Sequence, residues 1–162
     1  MYPDFKNCSK PELTFKFIQK RNYWVLQNYI KSSRRFRCDE SITFTTIGEI
    51  GFLNNLFTVI ERWQGPISIT VYAPGTSFEK TLETIFHLRD CGQNDVKKFV
   101  TFHLFFDFHH MPEKIPNLKE LFNYKVNCTK RFSDLDIPHP YRKENGLLYP
   151  INLARNVARS KY

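Results

Sequence analysis

The sequence predicts an α/β fold, a Rossmann-like half in which parallel strands alternate with helices. Three strand-like stretches and the helical periodicity of the segments between them predict it: short apolar runs at 66–73 and 99–106, and a β-branched run at 41–46. The order β-α-β-α-β implies parallel strands joined by crossover helices.

Taken in order, SITFTT (41–46) is β-branched and aromatic and reads as the first strand, ending in Thr45-Thr46. After Gly48, the residues Leu53, Leu56, Phe57, Ile60 and Trp63 recur at helical spacing, and Gly65-Pro66 stops that helix. PISITVYA (66–73) reads as a strand buried on both faces. Thr76 or Ser77 is placed to cap a second helix, with Glu79 in its first turn and Phe78, Leu82, Ile85 and Phe86 along one face. FVTFHLFF (99–106) is the third strand. Prolines and scattered charges then fill 107–146, with one short helical candidate near Leu118–Phe122. A closing helix begins at Pro150, with Ile151, Ala154, Val157 and Ala158 as its apolar face. The first forty residues, including YWVLQNYI, fit strand or helix equally, and are expected to form an extension packing on a domain spanning 41–162.

Composition narrows the class. A length of 162 residues suits one domain with a real core, and 41% apolar content with 16 Phe and 8 Tyr argues against disorder. The 24 Lys and Arg exceed the 16 Asp and Glu, which favours anionic partners. The densest basic stretch, Lys16 to Arg37, is interleaved with aromatics. It reads as a solvated face over a buried aromatic stripe in preference to a nucleic-acid surface.

No run approaches the roughly 20 apolar residues of a membrane span, and MYPDFKNCSK lacks the regions of a signal peptide. Either the protein is cytosolic or its targeting segment lies outside these residues. The sequons Asn7-Cys8-Ser9 and Asn127-Cys128-Thr129 favour the second, making Asn7 and Asn127 candidate glycosylation sites. Four widely spaced cysteines without C-x-x-C point to disulfides over zinc, with three pairings open.

Ligands of open parallel sheets sit beyond the carboxyl ends of the strands, so Thr45 and Thr46 are candidates to meet a base or ribose. The plainer alternative is two β-branched residues finishing a strand. No G-x-G-x-x-G or Walker loop is present. Asp107, His109 and His110 form a weak metal pattern, and Asp134-Leu135-Asp136, between a polar run and two prolines, reads as a loop and not a rigid metal pair. No metal ligand is assigned. Asn152, Arg155 and Asn156 share one flank of the closing helix, where an Arg flanked by amides can grip a phosphate. An ordinary polar helix face is the competing reading.

Tyr149-Pro150-Ile151-Asn152-Leu153-Ala154-Arg155-Asn156-Val157-Ala158 resembles the YPxNxxRNxA segment of glycosyltransferase family 49, which includes the LARGE-like glycosyltransferases and β-1,4-glucuronyltransferase. Glu61-Arg62-Trp63-Gln64-Gly65-Pro66-Ile67-Ser68 is similar to that family's R/H-W-x-G-P-x-S stretch, and the strand around Phe102 to Leu104 to its F-x-H-L strand. The resemblance implies a GT-A fold, a UDP-sugar donor, a glycan acceptor on a glycoprotein, Mn²⁺, and the Golgi lumen. It places Thr45 and Thr46 near the nucleotide, and Asn152, Arg155 and Asn156 around the donor pocket. Family members also carry a membrane anchor before this region and a strand ending in D-x-D after the asparagine-arginine helix, and neither occurs in the sequence. The expectation is therefore a truncated nucleotide-binding half without the metal strand, inactive by itself. A non-catalytic binding protein of the secretory pathway is the alternative, and a nucleic-acid module a distant third.

Overall fold

A computed structural model describes residues 12–92, 94–137 and 139–160, so Asn7 and Cys8 lie outside the described residues. Five strands form one sheet in the order β1-β2-β5-β4-β3. They are β1 (Lys16–Lys20), β2 (Tyr23–Ile30), β3 (Phe44–Gly48), β4 (Ile67–Tyr72) and β5 (Val100–Asp107). Strands β3, β4 and β5 run parallel, as their alternation with helices requires. The hairpin β1-β2 joins antiparallel through β2 against β5. YWVLQNYI is therefore a strand, buried from Val25 onward, and that near-continuous burial is why its pattern showed neither period.

The helices are α1 (Leu56–Trp63), α2 (Ser77–Asp90), α3 (Asn94–Phe99), α4 (Leu118–Phe122), α5 (Tyr141–Glu144) and α6 (Ile151–Arg159). Several expectations need correction. The first strand runs on to Gly48, because its ladder with β4 continues to the Gly48–Val71 pair. Residues 50–55 form a 3-10 turn, and α1 begins only at Leu56. Gln64 ends α1 in the left-handed conformation at φ 51°, one residue before the expected Gly65. Neither Thr76 nor Ser77 caps α2 through its side chain, since the Ser77 hydroxyl instead accepts the Tyr141 amide at 3.0 Å. Helix α3 was not expected, being too short to show a period. Ile151 is 48% exposed, so the packed face of α6 consists of Ala154, Val157 and Ala158 with Leu153 beside them.

The pleat of β4 divides the core. Ile67, Ile69 and Val71 face one way, joined by Phe102, Leu104 and Phe106 of β5, and pack under Leu53, Leu56 and Ile60 and under Phe78, Leu82 and Ile85 of α2. Burying each such side chain contributes about 1.5–3 kcal/mol. On the other face Tyr72, Phe105 and Val25 meet Ala154 and Val157 of α6.

On the α6 face, Asn28, His103, Ser68 and Ala158 are bonded in series. The Asn28 amide donates to His103 Nδ1 at 2.8 Å, which leaves the ring proton on Nε2 to donate to Ser68 Oγ, also at 2.8 Å. The Ser68 hydroxyl passes its own hydrogen to the Ala158 carbonyl at 2.8 Å. Ser68 and His103 are fully buried, so each bond is isolated from competing water. Asn28 can offer its amide because it sits at a register shift in β2 with φ 53°.

The Trp63-Gln64-Gly65-Pro66 turn is held by the Trp63 indole donating to the Pro66 carbonyl at 3.1 Å, the same carbonyl that accepts the Phe44 amide at 2.9 Å. A Cβ at Gly65 would stand 3.1 Å from the Trp63 indole nitrogen. The Cys91–Cys128 disulfide ties the end of α2 to the segment after α4, and Cys38 is also disulfide-bonded. In the basic stretch, Arg34 pairs with Glu40 and Arg37 with Asp39, while Tyr29 and Phe36 are buried beneath.

His103→Leu removes two bonds of the buried series and is expected to cost about 2–3 kcal/mol, and Ser68→Ala about 1 kcal/mol, in urea unfolding of the purified chain. Equal stability of both variants and the parent would show the series to be energetically idle.

Candidate functional site

The carboxyl edge of β3, β4 and β5 gathers the polar side chains that the core excludes. A cleft of about 560 Å³ opens at the end of β3, lined by Ile47, Gly48, Phe52, Asn55, Lys143 and Tyr149 among others. Gly48 is required where it stands, because a Cβ there would lie 2.7 Å from the Phe52 side chain. The Tyr149 hydroxyl donates to the Gly48 carbonyl at 3.0 Å, fastening the approach to α6 onto the strand end. Burial, followed by the charge of Glu49, holds this phenol in its neutral form by pushing its pKa up.

Glu49 and Arg142 close the cleft's frame with two bonds of 2.9 Å, Nε to Oε2 and Nη2 to Oε1. Their side chains are only 17% and 20% exposed, and the hydrogen bond to Glu49 raises the Arg142 pKa. A bidentate pair of this kind fixes orientation as well as distance. It presses α5 against the end of β3, and the next residue, Lys143, stands at the cleft's wall without an ion pair among the described residues.

Beside the cleft, the Tyr72 hydroxyl donates to Asp107 Oδ2 at 2.8 Å. His110 Nδ1 bonds Asp107 Oδ1 at 2.7 Å and the His109 amide reaches the same oxygen at 3.0 Å. Burial alone would push the Asp107 carboxyl up, but the bonds from His110 and Tyr72, the His110 charge and the His109 amide outweigh it and leave the pKa below its ordinary value. For Tyr72, burial first, and then the bond to Asp107, push the hydroxyl far above its ordinary value. Three elements thus meet at one carboxylate, and Tyr72 and Tyr149 touch edge to face at 5.8 Å.

The sequence-derived candidates fall in different places. Thr45 registers with Ser68 and Thr46 with Ile69, so the two hydroxyls face opposite sides of the sheet, and both lie short of the strand's end. Asn152, Arg155 and Asn156 do share one flank of α6, and all three are exposed. Asn127 is exposed, its Oδ1 accepting the Thr129 amide at 3.0 Å and hydroxyl at 2.7 Å. Gly48, Glu49, Arg142 and Lys143 were not singled out. Glu49 and Arg142 are 93 positions apart, and nothing local in the sequence signals their pairing.

The described residues do not fit a divalent ion such as Mn²⁺. Among them no group of three His, Cys, Asp or Glu side chains converges. Asp134 ends a 3-10 turn and, like Asp136, is exposed, as a loop reading of that pair requires. Asp107 already spends both oxygens on Tyr72, His110 and the His109 amide. Among the described residues, no helix is long and apolar enough to cross a membrane.

The Asp107 pKa carries a pH consequence. A carboxylate held below its ordinary value stabilises the fold fully above that value, about 3.9, and the stabilisation is lost as pH falls through the folded pKa. Asp107→Asn is therefore expected to flatten the rise in thermal stability between about pH 2 and 5. Parallel acid limbs for variant and parent would contradict it.

Residues 41–162 match the profile of a family described as glycosyl-transferase for dystroglycan, glycosyltransferase family 49. Over 124 residues the chain is 32% identical to β-1,4-glucuronyltransferase 1 of Danio rerio, an alignment covering 72% of this chain and 28% of that relative. No solved structure matches. The chain thus spans little more than a quarter of the relative's length. With the Tyr149 segment, the Trp63 turn and the Phe102–Leu104 strand all inside the matched region, the chain belongs to glycosyltransferase family 49.

Proposed function

We propose that this chain supplies the donor-nucleotide half of a UDP-sugar-dependent glycosyltransferase that acts on a glycoprotein glycan in the Golgi lumen. The observation that carries the reading is the cleft at the end of β3, where the motif residue Tyr149 forms a wall at the edge where parallel sheets take nucleotides. Phe52 and Tyr149 offer ring surface to a base, Asn55 an amide, and Lys143 a cation for the diphosphate. Arg142 stays engaged with Glu49 and so positions Lys143 without itself being available.

Helix α6 starts beside the cleft at Tyr149 and ends beside Ser68 and Gln27, so it runs back along the sheet away from the carboxyl edge. Asn152 lies within a turn of the cleft, and Arg155 and Asn156 about 9–10 Å along the axis from Tyr149. We assign these three a supporting role around the donor, together with one of Thr45 and Thr46 of the neighbouring strand, whose hydroxyls face opposite sides of the sheet. The part we assign to this chain is nucleotide binding, through the rings, amide and cation that line the β3 cleft. The sugar transferred, the acceptor and the linkage belong to the whole protein.

A secretory setting is supported by the Cys91–Cys128 disulfide beside an exposed sequon. Asn127→Gln is expected to remove one glycan's worth of mass from chain secreted by cultured animal cells. An unchanged mass would leave Asn127 unmodified.

Calorimetry with UDP tests the donor reading. Binding by the full chain is expected, with Lys143→Ala and Arg155→Ala each weakening it about tenfold, the equivalent of about 1.4 kcal/mol. Undetectable UDP binding would sink the proposal, and an effect of Lys143→Ala alone would remove Arg155 from the donor's surroundings.

A further inference from the structure

A second cavity, of about 900 Å³, lies between the first half of α2 and the loop that leads from β5 into α4. It shares no lining residue with the β3 cleft. Its floor is apolar, formed by Phe78 and Leu82, which are 1% and 2% exposed. Tyr124 and Tyr141 add two ring walls. Both rings are anchored. Tyr124 stacks on Phe86 at 4.6 Å, and Tyr141 lies over Gly75, where a Cβ would stand 2.7 Å from its ring. The Gly75 backbone, at φ 52°, suits glycine for the same turn.

The charges around this cavity run against the rest of the chain. The protein is +8 overall, yet the cavity has three glutamates against two lysines. Lys114 and Glu120 neutralise each other at 2.9 Å, and Glu120 also accepts the Asn117 amide in the capping box of α4. That leaves Glu79 and Glu113 as carboxylates without an ion pair among the described residues, opposed by Lys119 alone. An anionic ligand, whether a nucleotide diphosphate or a uronate, meets net repulsion here and finds its cation at Lys143 instead.

We propose that this cavity binds a neutral saccharide, as a site separate from the donor cleft. The inference rests on the glycosyltransferase reading for its choice of ligand class. A pyranose has two apolar C–H faces and a rim of hydroxyls. Anchored rings accept the faces at little entropic cost, while unpaired carboxylates and the Asn123 amide accept and donate to the hydroxyls. The volume lies in the usual range of pre-formed small-ligand sites, roughly 300–1,000 Å³. Such a site would retain a neutral segment of a glycan on the protein while the nucleotide occupies the other cleft.

The test is amide NMR of the full ¹⁵N-labelled chain titrated separately with lactose, xylobiose, sodium glucuronate, choline and UDP. Lactose or xylobiose is expected to shift the amides of Glu79, Glu113, Asn123 and Tyr124, with about millimolar affinity. The Glu79→Gln/Glu113→Gln double variant is expected to weaken this at least fivefold while keeping its dispersed spectrum and its UDP response. No shift from either disaccharide up to its solubility limit overturns the proposal. So does a stronger response to choline, which would make the rings and carboxylates a cation site, or one to glucuronate, or displacement of the disaccharide by UDP. Loss of the UDP response with the disaccharide shifts intact would refute the donor reading and leave a saccharide site.

Discussion

The series of hydrogen bonds from Asn28 through His103 and Ser68 to Ala158 joins the antiparallel hairpin, two parallel strands and the closing helix at one buried line. Each member depends on the next. His103 can accept from Asn28 only in the tautomer that donates to Ser68, and Ser68 can then donate only onward to α6. An apolar substitution at either position would strand a donor or an acceptor away from water. The position of α6 on the sheet therefore depends on a β-strand register shift at Asn28, and through α6 so does the placement of Tyr149 at the β3 cleft.

That dependence explains a feature of the family resemblance. Ser68 closes the W-x-G-P-x-S stretch, His103 lies in the Phe102–Leu104 stretch of β5, and Ala158 ends the YPxNxxRNxA segment. Three segments far apart in sequence supply consecutive links of a single chain of bonds. Much of what makes the motifs recognisable is thus structural. Trp63 and Gly65 belong to a turn bonded to itself and to β3, and His103 is fully buried and committed on both nitrogens, so it is no candidate for chemistry.

Strands β4 and β5 were legible because burial on both faces leaves short apolar runs, the edge strand β3 through its β-branched residues, and α2 because fourteen residues display the helical period over several turns. Strand ends were less so. Thr45 and Thr46 looked terminal because Gly48 reads as a turn, whereas here glycine serves a close approach to Phe52 inside the ladder. The frame of the cleft was not legible at all. Glu49 and Arg142 are ordinary charges in sequence, and Lys143 gains meaning only when their ion pair sets α5 against β3. The Asp107 network was half visible: the residue and His110 stood out, but Tyr72 lay hidden in an apolar strand where its ring is the expected feature.

Helical periodicity divides the YPxNxxRNxA segment into two halves with different causes. Tyr149, Ala154, Val157 and Ala158 are accounted for by contacts with the sheet and with Gly48. Small residues at 154 and 158 let α6 lie close enough for the Ser68 hydroxyl to reach a helix carbonyl, which a larger side chain would prevent. Asn152, Arg155 and Asn156 are on the other side of the same helix, and their side chains are exposed. Packing within the described residues gives no reason for two amides and a guanidinium there, since any helix-forming polar residue would solvate that face equally well. Arg presents a planar fork of N–H donors and each Asn an NH2 donor beside a carbonyl acceptor, planar groups that Lys and Ser do not carry. The chemistry of that flank is therefore the part of the motif that packing within the described residues leaves unexplained.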